Sequence, residues 1–422
     1  METPLTGNIR PGQEPLDIAG YERAGGYRAV RRALREMTPA DVIGVVTQAR
    51  LRGRGGAGFP TGMKWNLVPK GDGQPHYLVV NADEMEPGTF KDRLLLEGDP
   101  HQMIEAVIIA AYAIQAETAY IFLRGEYYLA ERRLQRAIAE AAERGYAGAD
   151  ILGSGYSLDI HLHTSGGRYI CGEETALLTA LEGKRAVPRA KPPFPQISGL
   201  WGRPTVVNNA ETLCNVPHII NNGPDWFIGL GLGEDAGTKI FGASGRVRRP
   251  GAWELPMGTP MREIIEDRAG GMRDGFALRA VLPGGASTGF VMAGDIDVPM
   301  SYAAVEKIGS RLGTGAVIVL DDRTCPVGML RNLEHFFAQE SCGFCTPCRD
   351  GLPWVERILA AIEEGEGEAD DLGVLEQHVG LLGPGRTFCA HAPGAMAPLA
   401  SGLSHFRAEF ERHIHDKRCP WH

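Results

Sequence analysis

The chain has 422 residues, too many for one ordinary domain, and 43% of them are hydrophobic, enough for a sizeable core. A net charge of −9 removes any bulk electrostatic case for nucleic acid, so none is expected as a partner. Eight cysteines are too sparse for a secreted disulfide scaffold, and no apolar run reaches the ~18 residues of a membrane span.

Met1-Glu-Thr-Pro4 lacks the basic and apolar blocks of a signal peptide. A reducing cytosol is therefore expected, with no direct membrane insertion and any membrane role reached through partner proteins. Residues 1–61 read as an irregular lead with one helix near Pro39 to Leu51. Strand-like and helix-like segments then alternate. Tyr77–Asn81 is a buried strand, His101–Gln115 a helix, Ala119–Leu123 a strand, Tyr127 to Gly145 a helix, and Leu158–His163 a half-buried strand. This alternation predicts an α/β layered domain over 62–229. After Gly223-Pro224 the texture changes. Lys239–Gly245, Leu278–Leu282 and Phe290–Val298 are short strand candidates, with one helix near Pro260–Asp267, which predicts a small α+β module over 230–323. From 324 to 422 four amphipathic helices are expected, packed as a bundle.

The bundle carries the strongest chemical signal. Cys342, Cys345 and Cys348 are each separated by two residues, and Cys389 follows at a distance. Each short gap turns the next sulfur back toward one point, the spacing of a [4Fe–4S] cluster with a remote fourth ligand. A zinc site more often shows two separated pairs; it stands as an alternative, as does a Cys345-Thr-Pro-Cys348 redox pair with bystander cysteines. Cys171, Cys214, Cys325 and Cys419 read as packing residues, His391 as a packing or cluster-contacting group, and His413 and His415 as solvated.

Leu51–Trp65 holds Gly53, Gly55, Gly56, Gly58 and Gly62 together with Arg52, Arg54, Lys64, Phe59 and Trp65. Gly53, Gly55 and Gly58 match G-x-G-x-x-G, but a helix precedes them and Pro60 follows, which is not the dinucleotide-fold context. The bare backbone still admits a ligand closely, the cations suit phosphate and the rings suit a planar base. Asn81-Ala-Asp-Glu-Met-Glu86 follows a strand end, where ligands bind in open α/β sheets. Ser165–Leu177, Lys191–Pro195 and Trp201–Leu213 add a glycine loop, a proline-stiffened cation with a ring, and Asn208-Asn209 ahead of a helix. A solvated acidic turn and ordinary loops remain the bland readings of each segment alone.

In one order along the chain, these motifs and the cysteine set resemble the family of flavin-carrying F subunits of bacterial respiratory complex I, NADH:quinone oxidoreductase, nearly end to end. The resemblance implies a multidomain α/β protein: a Rossmann-like FMN domain, a ubiquitin-like domain and a helical bundle carrying a [4Fe–4S] cluster. It implies that Gly53, Arg54, Gly55, Gly56, Ala57, Gly58, Phe59, Lys64, Lys191 and Phe194 bind NAD(H). Glu86 and Glu174 would position the dinucleotide at the catalytic centre. FMN would be contacted by Asn81, Asp83, Glu84, Gly172, Glu173, Val207, Asn208, Asn209 and Thr212, and the cluster held by Cys342, Cys345, Cys348 and Cys389. Some members stack adenine on a Phe where this chain has Leu67. The family's partners are a thioredoxin-like [2Fe–2S] subunit and the large iron–sulfur subunit of the peripheral arm, on the cytoplasmic face of the inner membrane, with quinone reached indirectly. The diaphorase subunits of NAD-linked hydrogenases and formate dehydrogenases share these motifs.

Overall fold

A computed structural model describes residues 2–421. Their contacts group them into two compact units. One holds the residues up to Met85, Phe90–Ile240 and Glu254–Gly258; the other holds Glu86–Thr89, Phe241–Trp253 and the residues from Thr259 onward.

The first unit is built on four parallel strands, β1 (Tyr77–Ala82), β2 (Thr118–Leu123), β3 (Asp159–Thr164) and β4 (Thr205–Asn209), in the order β3-β2-β1-β4. The chain steps outward from β1 to β3 and then crosses back to the other side of β1. That reversal opens a crevice at the carboxyl ends of β1 and β4, where Asn81 and Asn209 stand side by side in register. β1 and β4 are almost wholly buried, whereas edge strand β3 is largely exposed.

The helix Pro100–Ala113 is buried all round and packs on β1, β2 and the helices Arg28–Glu36, Tyr128–Glu143 and Ala210–Asn222. The charge that interrupts its apolar run has a structural explanation. Glu105 is buried, and its carboxylate accepts the Tyr21 hydroxyl at 2.6 Å and the Ala29 N–H at 3.1 Å, closing the amino end of helix Arg28–Glu36. The expected lead is more regular than its sequence pattern. Pro39–Gln48 forms a helix behind a Thr38/Asp41 capping box, but Ile18–Arg23 and Arg28–Glu36 are helices too. Both are short, and the second is rich in arginine, so neither shows a long apolar face.

A second sheet is ordered β6-β5-β9-β7-β8, where β5 is Thr238–Gly245, β6 Gly251–Pro256, β7 Leu278–Leu282, β8 Val291–Met292 and β9 Ala316–Asp321. The strand expected over Phe290–Val298 shrinks to two residues, because a 3₁₀ turn at Ala293–Asp295 ends it. β6 and β9 escape the pattern reading: one mixes Trp253 and Glu254 without clean alternation, and the other is a short apolar run. Among the described residues beyond β9 lie five helices rather than four: Pro326–Glu340, Thr346–Glu364, Asp371–Leu382, His391–His405 and Arg407–Asp416. The apolar stripe from Leu399 to Phe410 looks continuous, but the backbone leaves the helical region at Phe406, with φ −117° and ψ 25°.

Candidate functional site

In the first unit, the loop 53–59 is pinched shut at its base. The Gly53 N–H donates to the Phe59 carbonyl at 2.9 Å and Thr61 N–H to Leu51 at 2.8 Å. Gly56 and Gly58 sit at φ +128° and +66°, where a side chain is strained. A Cβ on Gly55 would stand 3.0 Å from the Asn209 Cβ, so the loop lies directly against the end of β4. The Arg54 N–H donates to Thr212 Oγ1 at 2.8 Å and fixes that approach.

The arginines act differently from the expectation. The Arg54 side chain is buried, and its guanidinium donates to the carbonyls of Arg52, Ala236 and Thr238. Arg52 donates to the Gly58 carbonyl at 2.8 Å and pairs with Asp235 at 3.1 Å. These cations satisfy protein carbonyls and a carboxylate, so they close the loop rather than offer charge to a phosphate.

The positive charge at the crevice comes from two lysines. Lys64 Nζ donates to the Val207 carbonyl at 2.8 Å and to Glu174 at 2.8 Å. Lys191 reaches Glu173 at 2.9 Å and Glu174 at 3.1 Å. Burial opposes ionisation of Glu174, but Lys64 and then Lys191 outweigh it and hold its carboxyl below the ordinary range. Glu173 also caps the helix Glu174–Leu181, accepting the Thr175 and Ala176 N–H groups at 2.9 Å each. That helix end is thus already neutralised and is not an open phosphate seat. Phe59 and Phe194 are exposed, as is Leu67.

On the β1 side, Asn81 Nδ2 donates to the Gly172 carbonyl at 3.0 Å, Asp83 N–H to Asn81 Oδ1 at 3.2 Å, and Ser165 Oγ to Asp83 at 3.1 Å. A Cβ at Gly172 would meet open space. Trp65 donates to Asn208 Oδ1 at 2.8 Å, and Asn209 Oδ1 accepts the Thr212 N–H. Glu84 turns away: its buried carboxylate accepts the N–H groups of Asp92 and Arg93 and the Tyr127 hydroxyl. Burial and then Asp92 push it up to about 7.

Beneath this polar rim lies a buried charge cluster that the motifs did not reveal. Glu211 pairs with Lys239 at 3.0 Å and Lys91 at 2.9 Å, while Lys91 also meets Asp92 at 2.8 Å, all four being buried. Burial favours the neutral acid, yet Lys239 and Lys91 carry Glu211 down to about 2. Lys239 is also lowered, to about 8, because burial, with the neighbouring Lys91 and Arg54 cations, outweighs its one carboxylate. The sequence signal was present: a Lys in an apolar strand, and a Glu directly after Asn208-Asn209-Ala.

Glu86 groups with the second unit, where its carboxylate accepts the Ser287 N–H at 2.7 Å. In that unit Cys345 caps helix Thr346–Glu364, Cys348 lies in its first turn, Cys342 follows Pro326–Glu340, and Cys389 precedes His391–His405. Phe344 and Phe388 meet edge to face at 4.8 Å and join the two cysteine loops. Burial, and then the closeness of Cys345, Cys389 and Cys342, pushes the Cys348 thiol up to about 12. Thiols brought near enough to act on Cys348 in this way suit a metal–sulfur core, which removes their protons. His391 is buried, and its Nε2 meets the Phe337 carbonyl at 2.8 Å. His413, expected to be solvated, is fully buried.

Three family models match: the Nuo51 FMN-binding domain over residues 46–218, the SLBB domain over 241–291, and the NADH-ubiquinone oxidoreductase-F iron–sulfur binding region over 328–413. The F subunit of NADH-quinone oxidoreductase in Salmonella typhimurium is 54% identical over 97% of this chain and 93% of its own length. The chain belongs to the family of NADH-quinone oxidoreductase F subunits. The Mycobacterium bovis member is 46% identical over 99% of this chain and 95% of its own. A crystal structure of an NAD⁺-reducing [NiFe]-hydrogenase in the H₂-reduced state aligns with TM-score 0.82 at 34% identity over 94% of this chain, which spans 65% of that chain.

Membership brings the two halves together. The family's cofactors are FMN and a [4Fe–4S] cluster, and this chain is an NADH-oxidising subunit with the residues that suit both. The crevice offers amide, carboxylate and ammonium groups with two exposed rings, a donor set for a phosphorylated aromatic ligand. FMN supplies the means of taking two electrons together and releasing them singly. Among the described residues no helix is long and apolar enough to cross a membrane.

Proposed function

We propose that the crevice between β1 and β4 holds FMN through Asn81, Asp83, Gly172, Glu173, Val207, Asn208, Asn209 and Thr212, with Glu84 shaping the floor. NADH then lies over the loop Gly53–Phe59, with Lys64, Lys191 and Phe194 orienting it and Glu174 positioning its polar groups. The observation that carries this reading is the meeting of Gly55 with Asn209 at the strand reversal. The missing side chain lets the glycine loop itself pack against the sheet end, which brings it to the place where open α/β sheets bind their ligands. Cys342, Cys345, Cys348 and Cys389 would hold the [4Fe–4S] cluster, which supplies one-electron chemistry when bound.

The chain works in this reading as one subunit of a larger oxidoreductase. Its neighbours are a thioredoxin-like [2Fe–2S] subunit and a large iron–sulfur subunit, at the cytoplasmic face of the inner membrane, with quinone reduced elsewhere in the assembly. The full-length similarity to quinone-reductase subunits at up to 54% identity favours this over the diaphorase of an NAD-linked hydrogenase, at 34%. Affinity purification of the tagged chain from native membranes tests it. Recovery with iron–sulfur and quinone-reactive membrane subunits supports the respiratory reading; recovery with a soluble hydrogenase overturns it.

A further inference from the structure

A second group of metal-ligating side chains lies outside the cluster cysteines. Cys325 Sγ, a ring nitrogen of His413 and Cys419 Sγ all lie within 4.8 Å of one another, and all three residues are buried. None of the three is in a disulfide. They come from distant positions: Cys325 caps helix Pro326–Glu340, His413 lies on the last helix, and Cys419 follows it.

The imidazole is already oriented as a metal ligand requires. His413 Nδ1 sits 2.6 Å from the Glu409 carbonyl, which holds the proton on that nitrogen and leaves Nε2, 3.3 Å from Cys325 Sγ, as the lone-pair side. Trp421 stacks on the same ring at 5.8 Å and 16°. A thiol–imidazole hydrogen bond alone needs two groups. Here a second thiol is brought to the same buried point, where neutral thiols are weak partners for one another. We propose that Cys325, His413 and Cys419 bind a structural zinc ion, with water as the fourth ligand.

Charge balance supports this choice of ion. Two thiolates and a neutral imidazole around a dication make a site of zero net charge, which a buried position tolerates. A bound dication takes both thiol protons. The place of the site gives it a use. A Cβ on Gly365 would lie 2.1 Å from the Lys417 carbonyl, and Lys417 Nζ donates to the Gly367 carbonyl at 2.8 Å. The segment ending in Cys419 therefore lies on the carboxyl end of helix Thr346–Glu364, whose other end carries Cys345 and Cys348. Zinc would staple that segment to the start of the bundle.

The test is metal analysis and zinc K-edge absorption on the intact holoprotein, produced in zinc-containing medium. The expected result is about one zinc per chain in addition to iron, with two sulfurs at ~2.3 Å and two nitrogen or oxygen ligands at ~2.0–2.1 Å. Cys419→Ser and His413→Gln should each lose most of the zinc while iron and FMN content stay at the level of the parent. Absence of zinc overturns the proposal. So does an all-sulfur shell, which would mean zinc in the cluster site, or zinc undiminished in folded Cys419→Ser. A Cys325–Cys419 disulfide found by mass spectrometry of the unreduced protein would also overturn it.

Discussion

Glu211→Gln tests whether the buried charges beneath the crevice set its geometry. The carboxylate faces Lys239 at 3.0 Å and Lys91 at 2.9 Å and accepts the Ile240 N–H at 2.8 Å. Glutamine keeps the shape and one acceptor but removes the charge that both ammonium groups share. Glu211 titrates at about 2 in the folded chain, against ~4.3 unfolded, and roughly 2 units at 1.36 kcal/mol each is about 3 kcal/mol. Breaking a buried pair from one side costs about 3–5 kcal/mol, in agreement. For a unit of this size the loss corresponds to a fall in Tm of roughly 6–12 °C, read by thermal denaturation near pH 7. The sign follows from the direction of the shift. A carboxyl depressed on folding stabilises above its unfolded pKa and loses that contribution as pH falls toward about 2. The Tm gap between variant and parent should therefore narrow below about pH 4. Pairing the change with Lys239→Met should recover part of the loss, because it removes the stranded ammonium. A single variant within ~1 °C of the parent, with no narrowing in acid, would refute the reasoning.

Asn209→Ala removes the cap of helix Ala210–Asn222 and the partner of Asp92 at 2.7 Å; it should cost about 0.5–2 kcal/mol and yield protein depleted of FMN but normal in iron, by absorbance and metal analysis. Lys191→Ala breaks two part-exposed ion pairs; allowing for solvent screening, NADH binding should weaken by about 1–2 kcal/mol, roughly five- to thirtyfold by titration, with FMN retained. Gly56→Val places a branched side chain at φ +128°, a strain of about 1–3 kcal/mol, and should raise the KM for NADH without changing iron content. Cys345→Ser should leave flavin bleaching by NADH intact in folded, FMN-loaded protein while electron delivery beyond it is lost; loss of the bleach itself would contradict this division.

The sequence disclosed the parts whose chemistry is local. The cysteine spacing, the glycine loop and the asparagine pair at the end of β4 each carry their meaning within a few residues, and the layered α/β pattern follows from alternating apolar runs. Contacts made across the fold were less accessible. Arg54 looks like a phosphate ligand beside four glycines, but only the packed chain shows its guanidinium turned onto the Ala236 and Thr238 carbonyls. Glu105 reads as an interruption, and Glu211 does not disclose its role, until their partners dozens of residues away are in place. His413, near the end of a polar helix, looks solvated because Trp421 and Cys325 cover it from other segments.

The central claim is that one chain takes the electron pair from NADH at the β1/β4 crevice and passes single electrons to its own cysteine-held cluster. Rapid mixing of the purified holoprotein with NADH, followed by freeze-quench electron paramagnetic resonance, tests it most directly. The account predicts flavin bleaching on mixing and then a signal of a reduced [4Fe–4S] cluster that Cys345→Ser abolishes. Bleaching without any cluster signal in an iron-replete parent, or the same signal in Cys345→Ser, would contradict it.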